Sequence, residues 1–267
     1  IRTLASTTQV SSYFSERQTS AFLGYFAQFQ YSFRDRWLAT LSARYDGSSR
    51  FGRSNQFGYF PALGLGWIMV DRPLNYSGGL NYLKMRGSLG VTGNAAIDGF
   101  PARGRVNNQA GYLGQPGFSI FDLENQQLGW EENTQFNLGF DLAFWQNRLS
   151  GSIDFFNRNT RDLLFQAPIP ATNGASSVWL NAGQLRNTGA ELQVNARVLQ
   201  SHLSWDISLN GAWLRNQVVD LPDTDGDGRS NELVLNDFNL FRPGEAAGAF
   251  YLIPYAGVDP ENGDALF

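Results

Sequence analysis

The sequence predicts an all-β fold, the wall of an antiparallel transmembrane β-barrel, on three observations. Side chains alternate apolar and polar with period two, connections alternate short and long, and the composition favours strands and turns over helices. Of 267 residues 42% are hydrophobic and 16% charged, which excludes a disordered chain. Glycine contributes 29 residues beside 21 Phe, 10 Tyr and 7 Trp, a mixture suited to pleated surfaces and tight turns.

The alternation can be followed strand by strand. Leu23, Tyr25, Ala27, Phe29, Tyr31 and Phe33 share one face, with Gln28, Gln30 and Ser32 on the other. After Arg34-Asp35-Arg36, Trp37, Ala39, Leu41, Ala43 and Tyr45 oppose Thr40, Ser42 and Arg44, which makes a hairpin. Phe57, Tyr59, Leu63, Leu65 and Trp67 then alternate with Gly58, Ala62, Gly64 and Gly66, and Leu83, Met85, Leu89 and Val91 with Lys84, Arg86 and Ser88. Phe136 to Phe144 oppose Gln135, Asn137 and Asp141, while Leu149, Ile153 and Phe155 oppose Ser150, Ser152 and Asp154. A last pair sets Leu192 to Val198 against Glu191 to Arg197, and Leu203 to Trp213 against Ser204 to Asn210. At period 3.6 these apolar groups would scatter around a helix, so the period of two decides for strands.

The connections between them are short at 34–36, 71–82, 145–148 and 199–202, and long at roughly 47–56, 93–129, 164–183 and 218–248. Compact soluble domains rarely carry such long loops, whereas outer-membrane barrels place tight turns on the periplasmic side and long loops outside. About 10 residues rising ~3.4 Å each at a tilt of ~45° cover ~24 Å, the height of a barrel's apolar band. No run approaches the roughly 18 apolar residues of a membrane-spanning helix, which a barrel does not need. A soluble glycan-binding β-sandwich would also have strands with one apolar face and is the alternative. The polar faces, rich in Gln, Asn, Ser, Asp, Gly and Arg, suit a water-filled or plugged lumen better. Aromatics near strand ends (Trp37, Tyr45, Phe57, Trp67, Trp130, Phe144, Trp145, Trp213) fit interfacial girdles or a core.

Composition also narrows function. Without cysteine there are no disulfides or thiolate metal sites, and a single histidine, His202 in a turn, gives little material for hydrolytic or zinc chemistry. The expectation is a protein that is not an enzyme. The net charge of −4, with Lys84 the only lysine, gives no electrostatic case for nucleic acid.

Several ordered blocks resemble the SusC/RagA family of TonB-dependent outer-membrane transporters. They begin with Tyr45-Asp46-Gly47-Ser48-Ser49-Arg50-Phe51-Gly52, Gly58-Tyr59-Phe60-Pro61 and Gly66-Trp67, followed by Leu83-Lys84-Met85-Arg86-Gly87-Ser88-Leu89-Gly90-Val91-Thr92-Gly93-Asn94. Pro170 to Gly174, Val178 to Gly183, Arg186 to Leu192 and Gly257 to Asp264 continue the pattern in the family's order. The resemblance implies a bacterial outer-membrane barrel of about 22 strands, of which residues 1–267 would supply about nine. It further implies uptake of oligosaccharides or peptides, a SusD-like lipoprotein lid, and a plug opened through TonB. Plug, TonB box and final strands are expected to lie outside this sequence, as parts of a longer chain.

Local motifs have structural and functional readings. Asp46 to Gly52 and Thr92-Gly93-Asn94 are turn geometry at strand ends, with glycines too sparse for a phosphate cradle. Asp223, Asp225 and Asp227, with Gly228 after them, place carboxylates at alternate positions as a calcium loop does, although Val234 stands where a bidentate Glu would be expected. A solvated acidic turn is the alternative. Tyr112, Phe118 and Trp179, with Asn181 and Gln184, are candidates for contact with a sugar or peptide, or for packing the loops together. Terbium luminescence tests the calcium loop: binding to the intact protein is expected to fall in Asp225→Ala and Asp227→Ala, and an unchanged signal disposes of the site.

Overall fold

The computed structural model describes residues 19–267 apart from 74–75, 77, 113–114, 171, 173, 176, 224–229 and 236–237; at 107–112, 116, 118, 121, 168 and 234–235 it describes the backbone alone. Strands β1 (Phe22–Phe33), β2 (Trp37–Ser48), β3 (Phe57–Asp71) and β4 (Leu80–Asn94) come first. The loop after β4 holds a one-turn 3-10 helix (Pro101–Arg103) and a hairpin of β5 (Arg105–Tyr112) and β6 (Gln115–Asp122). Strands β7 (Glu131–Phe144) and β8 (Leu149–Arg161) precede a second loop hairpin, β9 (Leu164–Pro168) with β10 (Ser177–Asn181). The longest strands, β11 (Gln184–Gln200) and β12 (Ser204–Asp220), follow. Beyond them, among the described residues, lie the short β13 (Leu233–Leu235), β14 (Asn239–Phe241), β15 (Ala249–Phe250), β16 (Gly257–Val258) and β17 (Ala265–Leu266).

Eight strands form one sheet in the order β1-β2-β3-β4-β7-β8-β11-β12, each antiparallel to the next. The expected number was about nine. The described residues hold eight wall strands, because the strand-like segments within the long loops pair with one another rather than with the wall.

Directly opposed residues in antiparallel strands share a face, so the register turns one-strand alternation into rows. Phe29, Leu41, Leu63, Leu89 and Phe136 stand opposite one another across five strands. Further along the sheet Phe155, Ala190 and Trp213 do the same. This face is bare, with Phe29 63%, Leu209 66% and Trp213 64% exposed. A sandwich requires a second sheet over it; the remaining sheets among the described residues are loop hairpins and short ribbons of two or three strands, which removes the sandwich alternative.

Aromatics mark both ends of the apolar face. Trp37 stacks on Trp67 at the short-turn end, with centroids 4.8 Å apart and planes at 7°, and Tyr45 stacks on Phe57 at the other, 5.0 Å and 15°. Trp130 departs from the girdle expectation, because its ring is taken up by the loops described below.

The connections alternate as the sequence predicts: 34–36, 72–79, 145–148 and 201–203 at one end, 49–56, 95–130, 162–183 and the chain after Asp220 at the other. Two short turns show how little chain they use. Arg34 and Asp35 are both left-handed, with φ of 52° and 54°. This is the backbone of primed hairpin turns, whose twist matches the strands. In the 145–148 turn Trp145, Gln146 and Asn147 are left-handed too, and buried Asn81 of β4 clamps the turn by accepting the Gln146 N–H through Oδ1 at 2.8 Å.

A charge on the bare face therefore costs more than the same charge on the other. In the full-length barrel folded into bilayers, Leu41→Arg is expected to lower stability by about 2–4 kcal/mol in denaturant titrations, and Thr40→Arg by under about 1 kcal/mol. Equal losses would contradict a two-solvent wall.

Candidate functional site

The face opposite the apolar one is polar, and its geometry centres on a missing side chain. Arg86 of β4, Gly139 of β7, Asp154 of β8 and Glu191 of β11 occupy one row. A Cβ at position 139 would lie 2.3 Å from Asp154 Oδ1 and 2.9 Å from Arg86 Cζ. Glycine leaves a channel across β7 through which the Arg86 guanidinium reaches two strands away. It donates to both oxygens of Asp141, Nε to Oδ2 at 2.8 Å and Nη2 to Oδ1 at 2.9 Å, and Nη2 lies 3.0 Å from Asp154 Oδ1. Planar, always-charged guanidinium suits such a fork better than an ammonium.

Around this centre amides and hydroxyls interlock. Asn137 donates to Ser88 Oγ at 3.0 Å, Gln135 donates to Asn137 Oδ1 at 2.8 Å, and Arg158 donates to Gln135 Oε1 at 3.1 Å. Phe156 lies over Gly189, where a Cβ would meet its ring at 2.6 Å. Arg44 Nε donates to Asp46 at 3.0 Å and Arg197 Nε to Asp206 at 3.3 Å on the same face. The result is a polar surface on which Arg44, Arg86 and Arg197 face carboxylates and Arg158 faces an amide, which fits the wall of an aqueous passage and, among the described residues, holds no nucleophile–base pair.

The rim at the long-loop end is built differently. Phe51, Ile97, Ala102 and Leu128 form a small core, with Trp130, Leu164 and Trp179 packed against it. The Trp130 ring meets Phe22, Phe51 and Phe60 at centroid distances of 5.9, 5.1 and 5.2 Å, and its Nε1 donates to Gln56 O at 3.0 Å. Gly52 is pressed to the backbone at Gln126, where a Cβ would lie 1.8 Å from the carbonyl oxygen. Asn181 accepts the Gly129 N–H at 2.6 Å and donates to Gly129 O and Asp162 O, each at 3.0 Å. Buried Asp122 accepts from Arg105 Nε at 2.6 Å and from Ser177 Oγ at 3.3 Å, joining the two loop hairpins. On the exposed stretch after β12, the Arg242 guanidinium holds the Glu232 carboxyl below the ordinary carboxylate range through hydrogen bonding.

The sequence-predicted residues distribute over this rim. Trp179 and Asn181 are engaged in packing the loops together, the second of the two roles open to them. Gln184 begins β11 on the outward face and donates to Asn159 Oδ1 at 2.6 Å. Tyr112 and Phe118 lie on β5 and β6, and their side chains fall outside the described residues. Asp223 is exposed after β12, while Asp225 and Asp227 lie outside the described residues. Asp46 to Gly52 is structural, as its turn chemistry suggests: Asp46, Ser48, Phe51 and Gly52 are all buried. His202 sits in an exposed turn.

The Arg86–Asp141–Asp154 cluster was missed as a unit, although each residue falls on a polar face by alternation. Its assembly depends on β4 pairing with β7 across a 36-residue connection, 95–130, and the sequence signal for it is Gly139 among Gln135, Asn137 and Asp141 on the polar face of one strand.

Comparison with known proteins places this geometry. The family described as TonB dependent receptor-like, beta-barrel, matches residues 2–260. TonB-dependent receptor P3 of Formosa agariphila is 33% identical over 262 residues, covering 95% of this chain and 26% of that protein. TonB-dependent receptor SusC of Bacteroides thetaiotaomicron is 35% identical over 263 residues, covering 91% and 26%. The solved RagAB peptide transporter superposes with a TM-score of 0.82 at 30% identity, over 92% of this chain and 27% of that one. The chain thus spans about a quarter of the length of the proteins it matches. A bare apolar face, a compensated polar face and loops gathered at one end are what that match requires, and the chain belongs to the TonB-dependent receptor-like β-barrel family of the outer membrane.

Proposed function

We propose that this chain is part of the wall of a TonB-dependent importer that carries oligosaccharides or peptides across a bacterial outer membrane. The observation that carries the reading is the polar face: Arg44, Arg86 and Arg197 each sit against a carboxylate, Arg158 bonds to the Gln135 amide, and the amides bond to one another, so cargo meets a wall of paired charges and dipoles. The relatives point the same way, one being SusC and another a peptide transporter. In this reading the short turns lie in the periplasm and the long loops outside. A SusD-like lipoprotein covers the loop rim, and TonB acts on a plug segment held within the closed barrel. Tyr112 and Phe118 of the β5–β6 hairpin are the proposed places of substrate contact, while Trp179, Asn181 and Gln184 serve to hold the rim together. Passage involves no bond chemistry.

Cells expressing the full-length protein with its lid should accumulate a fluorescent oligosaccharide or oligopeptide, and accumulation should stop when TonB is deleted. Accumulation of neither, or uptake indifferent to TonB, would overturn the proposal. Within the wall, Gly139→Val is expected to push Arg86 out of its fork and to cost about 1–3 kcal/mol of stability in denaturant titration. Gly87→Ala, at a position where an added Cβ meets nothing within 4 Å, serves as the neutral control.

A further inference from the structure

The polar face is bonded to itself near the long loops and left open near the short turns. Toward the loops Asn137 meets Ser88 and Gln135, and Asn216 donates to Asn187 Oδ1 at 2.6 Å. Toward the turns two rows cross β7, β8 and β11: Asp141, Ser152 and Gln193 stand opposite one another, and so do Ala143, Ser150 and Asn195. Opposed residues share a face, and both rows have the polar parity of Gln135 and Glu191. Ser150, Ser152, Gln193 and Asn195 are half-buried or exposed, and none of their side chains forms a hydrogen bond among the described residues.

Tyr82 lies opposite Ala143, next to the irregularity in the β4–β7 ladder. With the four unbonded side chains it lines a hollow of about 680 Å³, to which two short turns contribute Arg72 and Asn147. That size falls within the range of about 300–1,000 Å³ usual for small-ligand sites. The charges at the hollow come in opposite pairs. Asp141 is held by the Arg86 fork, and Asp71 is followed directly by Arg72, whose guanidinium lies 4.4 Å from the centre of the Tyr76 ring.

The chemistry of this lining selects its ligand. Serine hydroxyls and the amides of Asn and Gln both donate and accept hydrogen bonds, as the hydroxyl groups of a sugar do. The Tyr82 ring beside them offers apolar surface with a polar tip, which suits the C–H face of a pyranose. An extended peptide is recognised mainly through a free sheet edge, and β7, β8 and β11 are each paired on both sides. On the importer reading given above, we infer that the hollow is a binding site for neutral oligosaccharide at the short-turn end of the passage, separate from the loop rim. Cargo meets it last, and exchanges water for Ser150, Ser152, Gln193 and Asn195 before it leaves the wall.

The test uses cells that express the full-length protein with its lid and are given, at saturating concentration, a short neutral oligosaccharide or an uncharged oligopeptide carrying a thiol-reactive maleimide. A cysteine replaces Ser208, which stands opposite Asn195 on the polar face, or its outward neighbour Leu209, in a segment without native cysteine. Mass spectrometry of the isolated protein reads the label at each position. Ser208→Cys is expected to be labelled by the oligosaccharide only when TonB is present, and Leu209→Cys to stay unlabelled. Added to Ser208→Cys, Tyr82→Ala should lower the label about tenfold and Tyr82→Phe, which keeps the ring, at most about threefold. Import with equal label at the two cysteines, or with label indifferent to Tyr82→Ala, overturns the site. Import of the peptide and not the saccharide overturns it as well and leaves the importer reading standing, whereas import of neither overturns both. A Tyr82→Ala protein that lets a bulky glycopeptide antibiotic into the cell shows that the hollow seats the plug, and overturns the saccharide site.

Discussion

An unpaired backbone N–H or C=O in hydrocarbon costs several kcal/mol, and a sheet that crosses a bilayer must therefore satisfy its backbone through ladders between strands. Everything else in this molecule follows from that ladder. Antiparallel pairing along strands of 12 to 17 residues fixes the register, and register assigns each side chain to lipid or to water. A slip of one residue would turn Leu63 inward and Gly64 outward along with every neighbour in their strand. The continuous row from Phe29 to Phe136 shows how tightly five strands are held to one register.

Much of this was legible in the chain. Period two located all eight wall strands, and the alternation of short and long connections separated the two ends, because both signals are local. What depends on pairing between distant segments was not legible. Arg86 sits on a visibly polar face, yet its reach across Gly139 to Asp154 exists only once β4 lies beside β7. Trp130 reads as another strand-end aromatic and is instead the centre of a loop core, since its partners Phe22, Phe51 and Phe60 come from far earlier in the chain. Arginine on a strand suggests a lumen, yet of the seven on the wall strands Arg161, Arg186 and Arg215 share the outward parity of Phe155, Ala190 and Trp213.

The two faces and the rim differ in chemistry. The polar face pairs three of its four arginines with carboxylates and the fourth with an amide. The rim is held together because Phe51 of one long loop, Ile97 and Leu128 of a second, and Leu164 and Trp179 of a third pack on one another, and Asn181 and Asp122 add hydrogen bonds between the loops. It explains why residues of sugar-binding appearance, Trp179 and Asn181, are engaged within the structure.

The central claim is that one face of this sheet meets lipid and the other water. Spin labels placed one at a time on β2 and β3 of the full-length barrel, whose segment here contains no native cysteine, report each face directly. Labels at Leu41, Leu63 and Leu65 should relax with oxygen dissolved in the bilayer, and labels at Thr40, Ser42 and Gly64 with a water-soluble nickel complex, alternating residue by residue. Labels on both faces reporting the same solvent would contradict the account.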